Sequence, residues 1–299
     1  MWHLSSRIHK LNYFPETHTS CFVKRDDELS CGISGTKMRK YISLMPFLIK
    51  EGVEHLIIIA GPQSNNLLAA LQMAREFKLS VTVFLLKPKS PIRQGNFKLS
   101  SLFLKDEEII WIERNDWHQV ESLAQTFLSS LKHSAFILSE GASVAAAFEG
   151  AMTLADDIIV NEQQLGFTFD HIFIDAGTGF SAIALINRLA FLEHTTMVHV
   201  LLLADKEEVF HNKLQFWTGL SAANYCCFYP KTAKSFGSVN QTVKQEIRRM
   251  AREEGILADP IYSAKLFHET RRMIQTDSIY GNVLIIHSGG ILTMPGFDY

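Results

Sequence analysis

Several protein classes are excluded by what this chain lacks. It has only four cysteines in 299 residues, Cys21, Cys31, Cys226 and Cys227, too few for a disulfide framework, and none forms a Cys-x-x-Cys pair that would suggest zinc. They read as reduced thiols. The adjacent Cys226 and Cys227 would face opposite ways on a strand, which argues against a shared metal. There is no excess of either charge: 29 Lys+Arg against 31 Asp+Glu give a formal net of −2, so no global positive field holds a polyanion and nucleic acid is not an expected partner. Long apolar runs are missing as well. Stretches such as Leu56-Ile57-Ile58-Ile59-Ala60 and Val200-Leu201-Leu202-Leu203-Ala204 fall far short of the ~20 residues of a membrane-spanning helix and read as buried strands. Residues 1–14 contain no continuous apolar stretch, so no secretory signal is read and the expected address is the cytoplasm. No internal repeat or low-complexity segment stands out.

What is present is the composition of a folded soluble protein, 47% hydrophobic and 20% charged. At ~100–200 residues per domain the length fits two domains or one large α/β unit. Short β-branched runs alternate with longer stretches whose apolar residues recur at three- and four-residue spacing. That pattern predicts an α/β fold, a mostly parallel sheet covered by helices. Strands are expected at 21–24, 56–60, 81–86, 109–113, 135–139, 171–175, 198–204, 225–229 and 283–287. Helices are expected at 37–51, 65–78, 117–132, 143–160, 181–194, 239–254 and 263–275. A polar stretch at 161–169 reads as a boundary between two βα series. In open α/β folds ligands sit outside the carboxyl ends of strands, so the loops after Ile59, Ser139, Ile174 and Ile286 are where chemistry is expected.

Four segments carry residues suited to it. A small-residue turn over 32–36 leads into the helix starting near Lys37, where the positive end of the helix dipole and desolvation both favour a neutral, nucleophilic amine. Charge pattern alone favours a different reading, with Lys37, Arg39 and Lys40 as a solvated basic patch. In the segment Gly61-Pro62-Gln63-Ser64-Asn65-Asn66, Ser64 suits an N-cap, and the small polar side chains beside free helix N–H groups also suit a carboxylate or phenolate. Asp175-Ala176-Gly177-Thr178-Gly179-Phe180-Ser181 repeats the strand, glycine turn and helix pattern that cradles a phosphate, with Thr178 and Ser181 as further donors. A dinucleotide fingerprint would need glycine in place of Ala182, so a nucleotide site and an ordinary turn stand as alternatives. Finally, His287-Ser288-Gly289-Gly290 ends a strand in a turn that presents the Ser288 hydroxyl.

Together and in this order, the segments resemble fold-type II pyridoxal-phosphate enzymes, the tryptophan synthase β-like class, and within it the 1-aminocyclopropane-1-carboxylate deaminase and D-cysteine desulfhydrase family. The family pattern Lys-Arg-Asp-Asp then Gly-Asn-Lys-x-Arg-Lys is met by Lys24-Arg25-Asp26-Asp27 and Gly35-Thr36-Lys37-Met38-Arg39-Lys40, with Thr36 for Asn. Gln63-Ser64-Asn65-Asn66 stands for Gln-Ser-Asn-His, and Gly141-Ala142-Ser143 for Gly-Gly-Ser. Leu257 to Lys265 matches Leu-Asp-Pro-Val-Tyr-x-Gly-Lys, and His287-Ser288-Gly289-Gly290 matches His-Thr-Gly-Gly. The similarity runs from about Lys24 to Phe297.

The resemblance implies two mostly parallel twisted sheets flanked by helices, a large cofactor domain of 1–44 with 153–299, and a small domain of 45–152. It implies pyridoxal 5'-phosphate joined to Lys37 as an imine, with Asn65 on the phenolic oxygen, residues Gly177, Thr178, Gly179, Phe180 and Ser181 at the phosphate, and Ser288 at the ring nitrogen. A lone hydroxyl there leaves that nitrogen mostly unprotonated. Ser64 is expected to hold the substrate carboxylate or handle a proton, and Tyr262 to act as general acid or base. The implied reaction releases ammonia and a 2-oxo acid from a small amino acid, D-cysteine ahead of the cyclopropane substrate, in a homodimer. Some residues depart from the family. Phe236 and Phe297 stand where tyrosines are usual, with Tyr299 two residues on, and Phe180 and Ala184 where glycines are. These departures support the alternative of a cofactor-binding protein with weak or divergent activity, because phenylalanine keeps ring stacking but donates no proton.

Overall fold

The alternation of apolar runs with amphipathic stretches produces two separate sheets. A computed structural model describes residues 2–15, 18–32, 35–92, 94–220, 223–276 and 279–297, with only the backbone of Cys31 and Gly32. Ser34 of the first motif and Tyr299 therefore lie outside the described residues. The chain divides into two compact units, Met1–Arg39 with Ala151–Ile291, and Lys40–Gly150 with Leu292–Asp298.

The first unit carries a six-stranded sheet. Its strands in chain order are β1 (Ile8–Lys10) and β2 (Thr19–Lys24), then, after the second unit's strands β3 to β6, β7 (His171–Ala176), β8 (Met197–Leu202), β9 (Tyr225–Phe228) and β10 (Gly281–Ile286). The spatial order is β1-β2-β10-β7-β8-β9, parallel except for the short antiparallel edge strand β1. The second unit carries β3 (His55–Ala60), β4 (Ser80–Leu86), β5 (Ile109–Ile112) and β6 (Ala135–Leu138) in the parallel order β5-β4-β3-β6. Each central strand is a continuous apolar run because both faces are covered: every residue of β3 is buried.

Helices fill the connections, as parallel pairing demands. They are α1 (Lys37–Lys50), α2 (Asn65–Glu76), α3 (Asn96–Ser100), α4 (Val120–Ser130), α5 (Phe148–Leu165), α6 (Phe180–Phe191), α7 (Glu207–Thr218), α8 (Gln241–Arg249) and α9 (Ser263–Thr276). Among the described residues no helix is long and apolar enough to cross a membrane.

The structure corrects three expectations. The polar stretch 161–169 is no boundary, because α5 continues to Leu165 inside the first unit. Helix α5 starts at Phe148 rather than at 143, since Ala145–Ala147 takes a tighter 3-10 turn. The expected division of 1–44 with 153–299 against 45–152 misplaces the tail. Residues 292–298 belong with the second unit, where Gly296 approaches Gly95 so closely that a Cβ on Gly296 would stand 3.2 Å from the Gly95 Cα.

Candidate functional site

In the first unit the parallel strands β2, β10 and β7 end side by side, so the loops that follow them converge. Continuing the register of Leu284 opposite Ile172 and Ile285 opposite Phe173 brings the residues after β10 alongside Asp175 on β7. The Ser288 hydroxyl donates to Asp175 Oδ1 at 2.8 Å. The Thr36 N–H donates to the Ser288 carbonyl at 3.0 Å, which ties the start of α1 to the same loop. Gly35 makes that contact possible: its φ is +54°, and a Cβ there would stand 2.5 Å from the Ser288 carbonyl oxygen.

Lys37 therefore begins its helix facing this loop. Burial pushes its amine below the ordinary lysine range, against the pull of Asp175 and Asp259 in the other direction. Asp175, by contrast, is pushed up to about 6, by burial first and by Asp259 second, while the Ser288 hydroxyl, Lys37 and His287 pull it down. Asp259 is committed to the backbone. It accepts from the Ile261, Tyr262 and Ser263 N–H groups at 2.8–2.9 Å and from the Ser263 hydroxyl at 2.7 Å, which opens α9 and fixes Tyr262. A Cβ on Gly177 would stand 3.2 Å from Tyr262 Cε1 and 3.3 Å from its Oη, so the tyrosine ring lies against the glycine turn after β7. Phe236 meets that ring edge-on, with centroids 6.0 Å apart.

The turn itself has the form of an anion cradle. Gly179 caps α6 with φ +83° and, as a glycine, supplies no side chain to the N–H groups at that helix start. A Cβ at Gly179 would come within 3.0 Å of the Phe210 ring, so both backbone and space require glycine. The Phe180 side chain is buried edge-on to Trp217, at 5.0 Å, so its ring is turned to the core and is no ligand contact. Lys213 donates to the Thr178 carbonyl at 3.3 Å, on the outer side of the turn.

In the second unit the turn after β3 has its own order. Ser64 caps α2, accepting from Asn66 N at 3.1 Å and Leu67 N at 3.3 Å. The Asn96 amide donates to Asn65 Oδ1 at 2.5 Å, which orients the Asn65 side chain with its own NH2 as the remaining donor. The neighbouring Asn66 accepts from the buried Tyr41 hydroxyl at 3.1 Å.

The basic-patch reading of the first motif fails. Arg39 and Lys40 are 1% and 4% exposed. Arg39 is ion-paired within the first unit to Asp26 and Asp157, and the Lys40 amine donates to the Gly141 carbonyl within the second. Asp175 and Asp259 were not singled out from the sequence. Asp175 had one signal: it is an acid at the carboxyl end of an otherwise apolar strand, Ile172-Phe173-Ile174-Asp175.

A single feature ties this geometry to a family. A lysine of lowered basicity starts a helix at the edge where a phosphate-type glycine turn and a buried hydroxyl also end their strands. The family model described as pyridoxal-phosphate dependent enzyme matches residues 5–289. The chain belongs to that family. It is 24% identical over 315 residues to the bifunctional D-cysteine desulfhydrase/1-aminocyclopropane-1-carboxylate deaminase, mitochondrial, of Arabidopsis thaliana, covering 97% of this chain and 77% of that protein. It is 24% identical over 286 residues to the D-cysteine desulfhydrase of Serratia proteamaculans, covering 90% of this chain and 86% of that one. Among solved structures it is similar to one described as an ACC deaminase homologue, with a TM-score of 0.87 at 21% identity over 99% of this chain and 93% of that one. The fold is thus fold-type II and the cofactor pyridoxal phosphate. The donor set suits that group. The amine is held toward its neutral form, the glycine turn opens a helix whose positive end suits a phosphate, and the hydroxyl lies at the same strand edge.

Proposed function

We propose that the chain is a lyase or deaminase that releases ammonia and a 2-oxo acid from a small amino acid, with D-cysteine ahead of 1-aminocyclopropane-1-carboxylate. One observation carries the reading: the helix that starts at Lys37 is tied through the Thr36 N–H to the Ser288 loop, whose hydroxyl donates to Asp175, and burial there lowers the basicity of the Lys37 amine. When bound, pyridoxal phosphate supplies a conjugated electron sink next to the substrate α-carbon.

The protein's own groups do the rest. Lys37 would hold the group covalently, and its amine would also serve as the base toward the substrate α-proton, because a neutral amine is both nucleophile and base. The N–H groups from Gly177 to Ser181, with the Thr178 and Ser181 hydroxyls, would hold the phosphate at the positive end of α6. Ser288 would hold the ring nitrogen. Tyr262, fixed by Asp259 and leaning on Gly177, holds or returns a proton on the substrate side. The roles of Ser64 toward the substrate carboxylate and Asn65 toward the phenolic oxygen follow from the motif resemblance. For Asn65 they are supported by the amide donor that Asn96 leaves available. A homodimer and a cytoplasmic address belong to the same proposal.

The test is a panel of D- and L-amino acids assayed for ammonia and 2-oxo acid, run beside Lys37→Ala. The expected results are pyruvate and ammonia from D-cysteine, or 2-oxobutyrate and ammonia from the cyclopropane acid. Lys37→Ala should lower turnover by about 10²–10⁴-fold or more, and borohydride should trap the cofactor on the peptide containing Lys37. No product from either substrate, with no trapped adduct, overturns the reading.

A further inference from the structure

The Ser288 hydroxyl has one proton, and in this structure it is spent on Asp175: Oγ donates to Oδ1 at 2.8 Å. A hydroxyl that has donated its proton presents only lone pairs to anything on its other side. Among the described residues no other hydrogen bond to this carboxylate is found. Lys37 and His287 pull on it only weakly, and Asp259, the other acid that faces it, is saturated by four hydrogen bonds of its own. The His287 ring is also committed, with Nε2 on the Leu257 carbonyl at 2.8 Å and Nδ1 accepting from Gly289 N at 3.3 Å. The groups facing Asp175 are thus Lys37 at the start of α1, His287 and Ser288 after β10, and Asp259 before α9.

We infer that Asp175 is a positioning residue for the cofactor's ring nitrogen, acting through Ser288: with the hydroxyl proton committed to the carboxylate, Ser288 accepts from a protonated nitrogen instead of donating to a bare one. The inference rests on the proposed placement of Ser288 at that nitrogen and reverses the expectation for a lone hydroxyl. The proton balance is closed. One proton, taken from solvent as the cofactor binds, is held along the line N–H···O–H···O⁻, and shifting both protons toward Asp175 gives the neutral nitrogen and the neutral acid. Only O–H and N–H bonds change. Burial, which raises the Asp175 carboxyl to about 6, keeps its proton affinity close enough to that of a pyridine nitrogen for the two to compete. The chain then has a stronger electron sink than serine alone provides.

The experiment reconstitutes the full-length protein with pyridoxal phosphate labelled with ¹⁵N in the ring. It reads the ring-nitrogen chemical shift well above the pH at which Asp175 titrates, in the unaltered protein, Asp175→Asn and Ser288→Ala. Asn is nearly isosteric and keeps an acceptor but has no charge. The expected result is a pyridinium shift in the unaltered protein and a free-pyridine shift in both variants. A free-pyridine shift in the unaltered protein, which needs no variant to fold, overturns the inference, as does an unchanged shift in Asp175→Asn. Borohydride trapping on the same sample separates the two levels. An adduct on Lys37 with the wrong shifts defeats the role of Asp175 alone, whereas no adduct defeats the proposed function and this inference with it.

Discussion

Arg39 forks onto Asp26, with Nε to Oδ2 and Nη2 to Oδ1 both at 2.7 Å, and reaches Asp157 with Nη2 at 2.7 Å. Lys24 meets the same Asp157 at 2.6 Å and donates to the Ser6 carbonyl and to Asn161. Two cations and two carboxylates thus balance within the first unit, three of them essentially inaccessible to water. The charge and hydrogen bonds of Arg39 outweigh burial and hold Asp26 below the ordinary carboxylate range. This is the physical content of Lys24, Asp26 and Arg39 in those motifs: with Asp157 they form a buried ion-pair network inside the first unit. Because a buried charge left alone is worse than no charge, Arg39→Met should cost about 3–5 kcal/mol of stability. Urea unfolding checks it, and a loss below about 1 kcal/mol would show that the network is not intact in solution.

Helix α2 is where two demands on one residue can be separated. The Ser64 side chain satisfies two of the N–H groups that every helix start leaves open, and the proposed function asks it to hold a substrate carboxylate as well. Ser64→Ala should lower stability by about 1 kcal/mol and raise KM with a smaller change in kcat. Ser64→Asp keeps the cap, since a carboxylate accepts the same N–H groups, but repels a substrate carboxylate. Stability should return and KM should not. If KM follows stability through both variants, Ser64 is a cap alone. The type of most long elements was legible in the sequence, because periodicity reports which face is buried. Three elements were missed, one of them long: α7 has twelve residues but buries only Phe210 and Leu214, too thin an apolar stripe to show a helical period. β1 has three residues and is an edge strand held by pairing with β2, and α3 has five, too few to show a helical period.

At the scale of the whole molecule, acid should weaken the fold in two successive windows. His199 is held down to about 4, chiefly by burial and further by His171, from an ordinary 6.5. It stacks on Phe173 with centroids 4.3 Å apart, and its ring nitrogens lie near His171 and Cys226. Between those pH values the unfolded chain binds a proton that the native state refuses, so stability falls as pH drops from 6.5 toward 4, by at most about 3 kcal/mol. Asp26 acts below that window. Its folded carboxyl lies under the 3.8 of the unfolded chain, so its contribution is complete above 3.8 and is lost as pH falls through the lower folded value. Unfolding free energies measured against pH should show both steps, and His199→Gln should flatten the upper one while leaving the lower.

The sequence alone determined what is local and periodic: an α/β chain with parallel strands, the glycine turns, the lysine at a helix start and the motif order that implied the cofactor. A buried face repeats along the chain, and a turn needs its special residues in a row, so both are written in consecutive positions. The tertiary structure alone decided which charges are buried together, that the tail from Leu292 belongs with Lys40–Gly150, and that Asp175 lies behind Ser288. Asp175 and Ser288 are 113 positions apart in the chain. Only the pairing of β7 with β10 brings them within a hydrogen bond, and only desolvation at that edge sets the proton affinities of Asp175 and Lys37.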